Sequence, residues 1–161
     1  MSEPLKTVAL LVANPALSSI LSMTLAGAPS LRVRPFETEI ALKTYLRLAP
    51  ADLVVADFDS LPSRADRLAV HLREDGGISK RLQVIALASE LSADLKAASI
   101  HAGIDEIIMK PMSPRYLVER VLARLAKGRV PERRRGLNKR DWSKFGDNIV
   151  PLFGPTPEPR V

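Results

Sequence analysis

Short apolar runs alternate with amphipathic stretches over residues 1–127 of this 161-residue chain. Runs rich in branched residues predict five β-strands: Thr7–Ala13, Leu31–Phe36, Leu53–Asp57, Gln83–Ala88 and Glu106–Met109. Between the runs, apolar residues recur at the spacing of one helix face, which predicts five α-helices. Alternation of strands and helices is typical of βαβ units. We therefore predict an α/β domain whose parallel sheet is covered by helices on both faces.

The helices are predicted from their apolar stripes and from residues suited to their ends. The stripes consist of Leu17, Ile20, Leu21 and Leu25; Ile40, Leu42, Tyr45 and Leu46; Leu68 and Leu72; Leu91, Leu95 and Ile100; and Leu117, Val118, Val121, Leu122 and Leu125. The pairs Asn14-Pro15 and Ser113-Pro114 suit the start of the first and last helices, since Asn and Ser cap a helix and Pro fits its first position. Gly103 is predicted to close the fourth helix, and Gly128 the fifth with a left-handed cap.

The regular pattern ends at Gly128, beyond which the chain is rich in Pro, Gly and Arg. Residues 128–161 contain eight Lys or Arg residues against four acids, a net charge of +4, whereas the whole chain carries +6. The basic character is thus concentrated in this last part. We predict one domain over residues 1–127 and a basic, Pro/Arg-rich tail over residues 128–161.

Composition excludes several kinds of site. The chain has no cysteine and only two histidines, so disulfides, thiolate metal sites, cysteine nucleophiles and histidine-rich metal sites are ruled out. The early apolar run Val8–Ala13 is far shorter than the ~20 residues of a membrane span. The chain start also lacks the basic region and cleavage pattern of a signal peptide. We expect a cytoplasmic protein without a membrane partner.

Candidate chemistry lies where the predicted strands end. Ligands of parallel α/β sheets bind at the carboxyl ends of the strands. Those positions are Ala13-Asn14, Asp57, Ala88-Ser89 and Lys110. The sequence has no Gly-rich phosphate loop and no nucleophile motif. These four positions are therefore the ones at which a site is expected.

Three segments, "ADLVVADFDSLP", "LQVIALAS" and "HAGIDEIIMKPMSPRYL", resemble consecutive parts of the bacterial response-regulator receiver domain (CheY-like). The resemblance covers about residues 5–127. It implies a flavodoxin-like, doubly wound sheet of order 2-1-3-4-5 in a signalling protein that is not an enzyme. It also implies that Asp57 accepts a phosphoryl group from a histidine kinase and that Lys110 pairs with the phosphoryl oxygens, next to a Lys110-Pro111 bond that is usually cis.

Several positions depart from the receiver pattern. In that family two acids after the first strand hold Mg²⁺, helped by the backbone carbonyl of the residue two beyond the acceptor, which is Asp59 here. Ala13 and Asn14 stand at the acid positions, and Mg²⁺ prefers carboxylate and water oxygens. Mg²⁺ binding is therefore predicted to be weak, with no resident cofactor.

The positions that report phosphorylation in the family also differ. Ala88 replaces a hydroxyl residue and Ile107 replaces an aromatic residue. Ser89 is adjacent to Ala88, but strand alternation predicts that its side chain points to the opposite face. A phosphoryl group on Asp57 would therefore lack its usual reporters.

These departures favour an atypical receiver that works by protein–protein contact without efficient Mg²⁺-dependent phosphorylation. The partner would be a histidine kinase, a phosphotransfer protein or a downstream regulator, and a homodimer is also possible. The family's usual output surface, around the fourth helix, fifth strand and fifth helix, is the expected contact. The alternative is a conventional phosphoacceptor that uses Asp57 and Lys110.

The tail allows three interpretations. Its basic run is either a solvated linker or a nucleic-acid contact, since clustered Arg and Lys attract phosphates. The favoured interpretation is a docking segment, because aromatic residues beside Arg are typical interface anchors. The docking candidates are Trp142, Phe145, Ile149, Leu152 and Phe153.

Overall fold

A computed structural model of the chain describes residues 4–59 and 64–129. Strands and helices alternate along the chain. The strands are β1 (Lys6–Leu11), β2 (Leu31–Phe36), β3 (Leu53–Asp57), β4 (Gln83–Ala88) and β5 (Glu106–Met109). The helices are α1 (Pro15–Ala26), α2 (Glu39–Leu48), α3 (Ala65–Glu74), α4 (Ala93–Ala102) and α5 (Pro114–Lys127).

All five strands pair in parallel, in the order β2-β1-β3-β4-β5, which confirms the predicted topology. In the centre of the sheet, Val8 pairs with Leu53 and Leu53 pairs with Gln83. The strand order reverses at β1. The connection that follows β1 and the one that follows β3 therefore run to opposite faces of the sheet, and a crevice opens between them at the carboxyl ends of these strands. Asp57, the last residue of β3, therefore lies beside this crevice.

The core consists of two apolar clusters, one on each face of the sheet. Side chains alternate along β3, so that Val54 and Ala56 enter one cluster while Leu53 and Val55 enter the other. Residues of α2, α3 and α4 complete the first cluster, and residues of α1 and α5 complete the second. Because β3 and β4 are buried along their whole length, both faces require covering helices.

The predicted strand bounds hold for β2, β3, β4 and β5, whereas β1 begins one residue earlier and ends two residues earlier than predicted. The ladder between β1 and β2 ends at the pair Leu11 and Phe36. Beyond it, Val12 and Ala13 belong to no strand, although Val12 remains buried. The apolar run that predicted β1 therefore continues two residues beyond the last residue that pairs with β2.

Three residues of the predicted apolar stripes face outward instead. Ile20, Ile40 and Leu122 are exposed, with Ile40 at 80%. Their helices bury neighbouring leucines or valines, such as Leu42 on α2, and one step along a helix turns a side chain by about 100°. Leu91 also precedes α4 rather than lying in it.

The helix ends follow the predicted residues closely. Asn14 and Ser113 cap α1 and α5 by accepting backbone N–H groups of Leu17 and Tyr116. Gly103 closes α4 with φ 87° and ψ 27°, the left-handed conformation expected of a glycine cap. Gly128 has φ 72°, but its ψ of 172° is not that of a left-handed cap, so this detail of the prediction was wrong.

A buried ion-pair network joins β5 to α5. The Glu106 side chain has no solvent exposure, and its Oε1 lies 2.5 Å from Nη2 of Arg120 and 3.6 Å from Nη2 of Arg124. Arg124 also donates to the backbone carbonyl of Asp105. A buried carboxylate is tolerated only when such partners satisfy its charge.

Among the described residues, no helix is long and apolar enough to cross a lipid bilayer.

Replacement of Glu106 should therefore destabilise the domain. In Glu106→Gln the cations of Arg120 and Arg124 lose their carboxylate partner while they remain packed against the sheet. We expect the free energy of unfolding to fall by about 3 kcal/mol, as is typical when one member of a buried ion pair is removed. Urea denaturation followed by far-UV circular dichroism measures this change.

A matched control is Glu119→Gln, which breaks an exposed pair between Arg115 and Glu119 on the same helix. Such a surface pair contributes less than about 1 kcal/mol. Equal losses of stability in the two variants would contradict a special role for the buried network.

Candidate functional site

The candidate site lies at the carboxyl edge of the sheet. Asp57 ends β3, Lys110 follows β5, and the Asn14 cap of α1 follows β1. Parallel pairing brings these strand ends to one edge, so residues far apart in sequence meet. The backbone N–H of Lys110 donates to the carbonyl of Ala88 at 2.7 Å, which fixes the chain just beyond β5.

Asp57 and Lys110 form the central contact of the site. Nζ of Lys110 lies 2.9 Å from Oδ1 and 3.0 Å from Oδ2 of Asp57. The Asp57 side chain is 4% exposed, and the Lys110-Pro111 peptide bond is cis. Burial on this scale requires a partner for the Asp57 carboxylate, and Lys110 is that partner.

Asp59 is a second anionic partner of Lys110. Its Oδ2 lies 2.5 Å from Nζ of Lys110, although the Asp59 side chain is 51% exposed. The backbone N–H of Asp59 donates to Oδ1 of Asp57 at 2.9 Å. This local turn brings the second carboxylate over the first, so one ammonium group serves two carboxylates.

Ser89 also belongs to the site, and the prediction that it points away was wrong. Its hydroxyl donates to Oδ2 of Asp59 at 2.5 Å. β4 ends at Ala88, so strand alternation no longer governs the next residue. The position of Ser89 directly after a strand that ends at the site is the one sequence signal that favoured its inclusion.

These contacts shift the protonation equilibria of two groups. Hydrogen bonds from Lys110 and then Ser89 lower the pKa of Asp59 below its ordinary value, against a smaller opposing effect of burial. Burial by itself would lower the pKa of Lys110, but its bonds to Asp59 and Asp57 outweigh burial and raise it. Asp59 and Lys110 are therefore both charged at neutral pH.

The residues present do not fit a Mg²⁺ site. The side chain of Ala13 has no ligand atom, and the side-chain oxygen of Asn14 accepts the N–H of Leu17 at 3.1 Å as a helix cap. Both oxygens of Asp57 are bound to Lys110. In the part of the chain that the structure describes, no group of three or more His, Cys, Asp or Glu side chains could hold a metal ion. Mg²⁺ requires several oxygen ligands in octahedral geometry, which this set does not supply.

The two reporter positions lie in the core. Ala88 and Ile107 have 0% and 1% exposure and belong to the cluster on the α2, α3 and α4 face. Neither side chain has a polar atom with which to follow a change at Asp57. The docking candidates Trp142, Phe145, Ile149, Leu152 and Phe153 lie outside the described residues.

An open cleft of about 390 Å³ borders the charged cluster formed by Asp57, Asp59 and Lys110. It is lined by Leu17, Ser89, Lys110, Pro111 and Met112. Leu17 and Met112 are also packed against the core on the α1 and α5 face. Helical spacing placed Leu17 in the apolar stripe of α1, which is predicted to face the core. Nothing further in the sequence indicated that Leu17 also lines a cleft.

Comparison with known proteins identifies the fold. No protein-family model and no curated protein sequence matches the chain. Solved structures do match it. A response regulator receiver domain protein (CheY-like) from Methanospirillum hungatei JF-1 has a TM-score of 0.69 and 20% identity, covering 76% of this chain and 95% of that one.

Two further structures show the same likeness. A response regulator from Thermotoga maritima has a TM-score of 0.65 and 24% identity, covering 76% of this chain and 98% of that one. The chemotaxis response regulator CheY4 of Vibrio cholerae has a TM-score of 0.67 and 18% identity, covering 75% and 98%. The chain thus has the flavodoxin-like receiver fold of response regulators.

The contacts of Asp59 predict a specific pH dependence. Because the folded-state pKa of Asp59 is lowered, its stabilising effect is present above the ordinary pKa of 3.8 and is lost as pH falls through the lowered value. We expect the unfolding free energy of Asp59→Asn to fall less steeply than that of the unaltered protein below about pH 4. Urea midpoints measured from about pH 5 to pH 2 test this slope.

The matched control is Glu90→Gln, which removes an exposed carboxylate from the residue after Ser89. This variant should keep the slope of the unaltered protein, because Glu90 does not contact Lys110. An unchanged acid slope in Asp59→Asn would show that the Asp59 bonds contribute nothing in solution.

Proposed function

We propose that this chain is an atypical receiver of two-component signal transduction that acts through protein–protein contacts, without efficient Mg²⁺-dependent phosphorylation. The observation that carries the proposal is the closed cluster at the site. Lys110 is bound by both Asp57 and Asp59, and Ser89 completes the contacts of Asp59. Asp57 and Lys110, the groups that a phosphoryl group would contact, are therefore already bound to each other and to Asp59.

Charge opposes phosphoryl transfer at this cluster. The reaction is accelerated mainly by electrostatic stabilisation of the phosphoryl oxygens and by positioning of the reacting groups. Here one ammonium group stands between two carboxylates, and no second cation is present among the described residues of the cluster. An anionic phosphodonor would thus approach two acidic side chains that share a single ammonium group, which slows the reaction.

Asp59 occupies the position in which an external anion would be bound. Its Oδ2 receives hydrogen bonds from the ammonium group of Lys110 and from the hydroxyl of Ser89. A phosphoryl oxygen accepts hydrogen bonds from donors of the same kind, such as an ammonium or a hydroxyl group. An incoming phosphoryl group would therefore have to displace Asp59 before it could gain these contacts.

The contact surface is proposed to include the region around α4. A groove of about 610 Å³ runs between the start of α3 and the first turns of α4. Its lining combines apolar and charged side chains, which include Arg64, Leu91, Asp94, Leu95 and Ala98. Mixed linings of this kind suit a protein partner that presents both apolar and polar groups.

The second candidate is a conventional phosphoacceptor. It is favoured by the bidentate contact of Lys110 with a buried Asp57 and by the adjacent cleft of about 390 Å³, through which a small donor could approach. The two candidates differ in one property, the rate of Mg²⁺-dependent phosphorylation.

Treatment with acetyl phosphate, with and without Mg²⁺, distinguishes the two candidates by intact-protein mass. We expect no stoichiometric phosphoryl adduct on the unaltered chain. In the double variant Ala13→Asp, Asn14→Asp, both acids are restored and a Mg²⁺-dependent adduct should appear, because the dication gains carboxylate ligands. Aspartate also caps helices well, so the second substitution keeps the start of α1.

The control adds Asp57→Asn to the double variant, and this change should remove the adduct. Stoichiometric, Mg²⁺-dependent labelling of Asp57 in the unaltered chain would refute the proposal and establish the phosphoacceptor function instead.

A further inference from the structure

Helix α1 differs from its neighbours in charge. Among the five helices of the described residues, α1 alone contains no Asp, Glu, Lys, Arg or His, since its sequence is PALSSILSMTLA. Helices on protein surfaces normally carry charged groups on the side away from the core. The solvent side of α1 is thus chemically unlike the solvent side of a typical surface helix.

The solvent side of α1 is also partly apolar. We call this side the α1 outer face; it consists of Ala16, Ser19, Ile20, Met23 and Ala26, all of which are exposed. Met23 is 71% exposed and Ile20 is 46% exposed, whereas Leu21 and Leu25 of the same helix point into the core. Large uncharged surfaces with exposed apolar side chains mark interaction sites.

The tail begins at the same edge of the sheet as the C-terminal end of α1, the edge opposite Asp57. Arg129 donates to Oδ1 of Asp105 at 2.8 Å and to the carbonyl of Lys80 at 2.6 Å, just before β5 and β4 begin. Arg129, the last described residue, therefore lies at the amino edge of the sheet. Helices of βαβ units run opposite to the strands, so the C-terminal turns of α1 and α5 lie at this same edge, and both helices cover the same sheet face.

The tail contains a segment that suits such a face. Between residues 142 and 153 lie Trp142, Phe145, Ile149, Val150, Leu152 and Phe153, and from Phe145 to Phe153 the only charged residue is Asp147. Trp142 lies thirteen residues beyond Arg129. An extended chain of that length spans roughly 40 Å. A domain of this size has a radius of gyration of about 14 Å, so the segment can reach α1.

We propose that residues 142–153 dock on the α1 outer face of their own domain. Burial of the aromatic and branched side chains of the tail against Ile20 and Met23 removes apolar surface of both partners from water. Because the segment is tethered to the domain, its effective concentration is in the millimolar range, which favours docking in cis over binding of a second copy.

Two other surfaces suit this segment less well. The groove beside α4 is lined by charged Arg64, Glu90 and Asp94. On α2, exposed Ile40 and Leu48 are accompanied by Lys43, whose charge repels the basic residues that precede Trp142. The α1 outer face has neither drawback. The docking does not depend on chemistry at Asp57, so its failure leaves the proposed function unaffected.

Trp142 is the only tryptophan, which makes its fluorescence a direct test with the full chain. In the unaltered protein we expect blue-shifted emission and slow quenching by acrylamide. Met23→Glu places a charge on the α1 outer face and should return Trp142 to the emission and quenching of a hydrated side chain. Docking would bury the Met23 side chain under the tail. Loss of that contact changes the ratio of docked to free tail by about tenfold or more.

The matched control is Leu48→Glu, which introduces the same charge at an apolar side chain of α2 that is 83% exposed. This variant should keep the emission of the unaltered protein. Far-UV circular dichroism confirms that both variants are folded, and Ile20→Ser provides a second, uncharged change on the α1 outer face with the same expected direction.

Four results would overturn the proposal. The first is hydrated emission from the unaltered protein, and the second is protection that persists in Met23→Glu and Ile20→Ser. The third is protection that disappears on dilution together with a dimer seen by analytical ultracentrifugation, which would assign the face to a second copy. The fourth is protection that arises only when duplex DNA is added at low salt, which would assign the tail to nucleic acid.

Discussion

The parallel sheet has to be covered on both faces, because β3 and β4 are buried along their whole length. Helices α2, α3 and α4 pack on one face, and α1 and α5 pack on the other. This requirement sets the direction of every connection, since each helix must return the chain to the same edge at which the previous strand began. The carboxyl ends of all five strands then meet at the opposite edge, where Asp57 and Lys110 are brought together.

The candidate site lies at the carboxyl ends of the strands, as expected for this fold. Its charged groups differ from the receiver pattern described above. Lys110 binds Asp57 and also binds Asp59, and Ser89 directly after β4 donates a hydrogen bond to Asp59. Where a dication would require additional carboxylates, the chain has Ala13 and a capping Asn14. The cluster is satisfied by internal contacts alone, so the fold does not require a metal or a phosphoryl group to keep these charges paired.

Most of the fold could be predicted because it depends on local patterns. Strands β2 to β5 coincide with their apolar runs, and Asn14, Gly103 and Ser113 act at helix ends as their chemistry suggests. The strand order came from the resemblance to receivers, since periodicity contains no information on which strands are neighbours. Ile20, Ile40 and Leu122 were misplaced because helical spacing leaves open which of two adjacent apolar residues faces the core. The bond between Lys110 and Asp59 was missed because it arises from a turn after β3 that no spacing rule describes.

Lys110 and the substitutions at the strand ends leave no magnesium site. The most direct test is thermal unfolding of the unaltered protein with Mg²⁺ up to about 10 mM, with ionic strength held constant by NaCl; a ligand that binds the folded state raises the midpoint in proportion to its occupancy. We predict a midpoint that does not change with Mg²⁺. A midpoint that rises and saturates with Mg²⁺, and that no longer rises in Asp57→Asn, would contradict it.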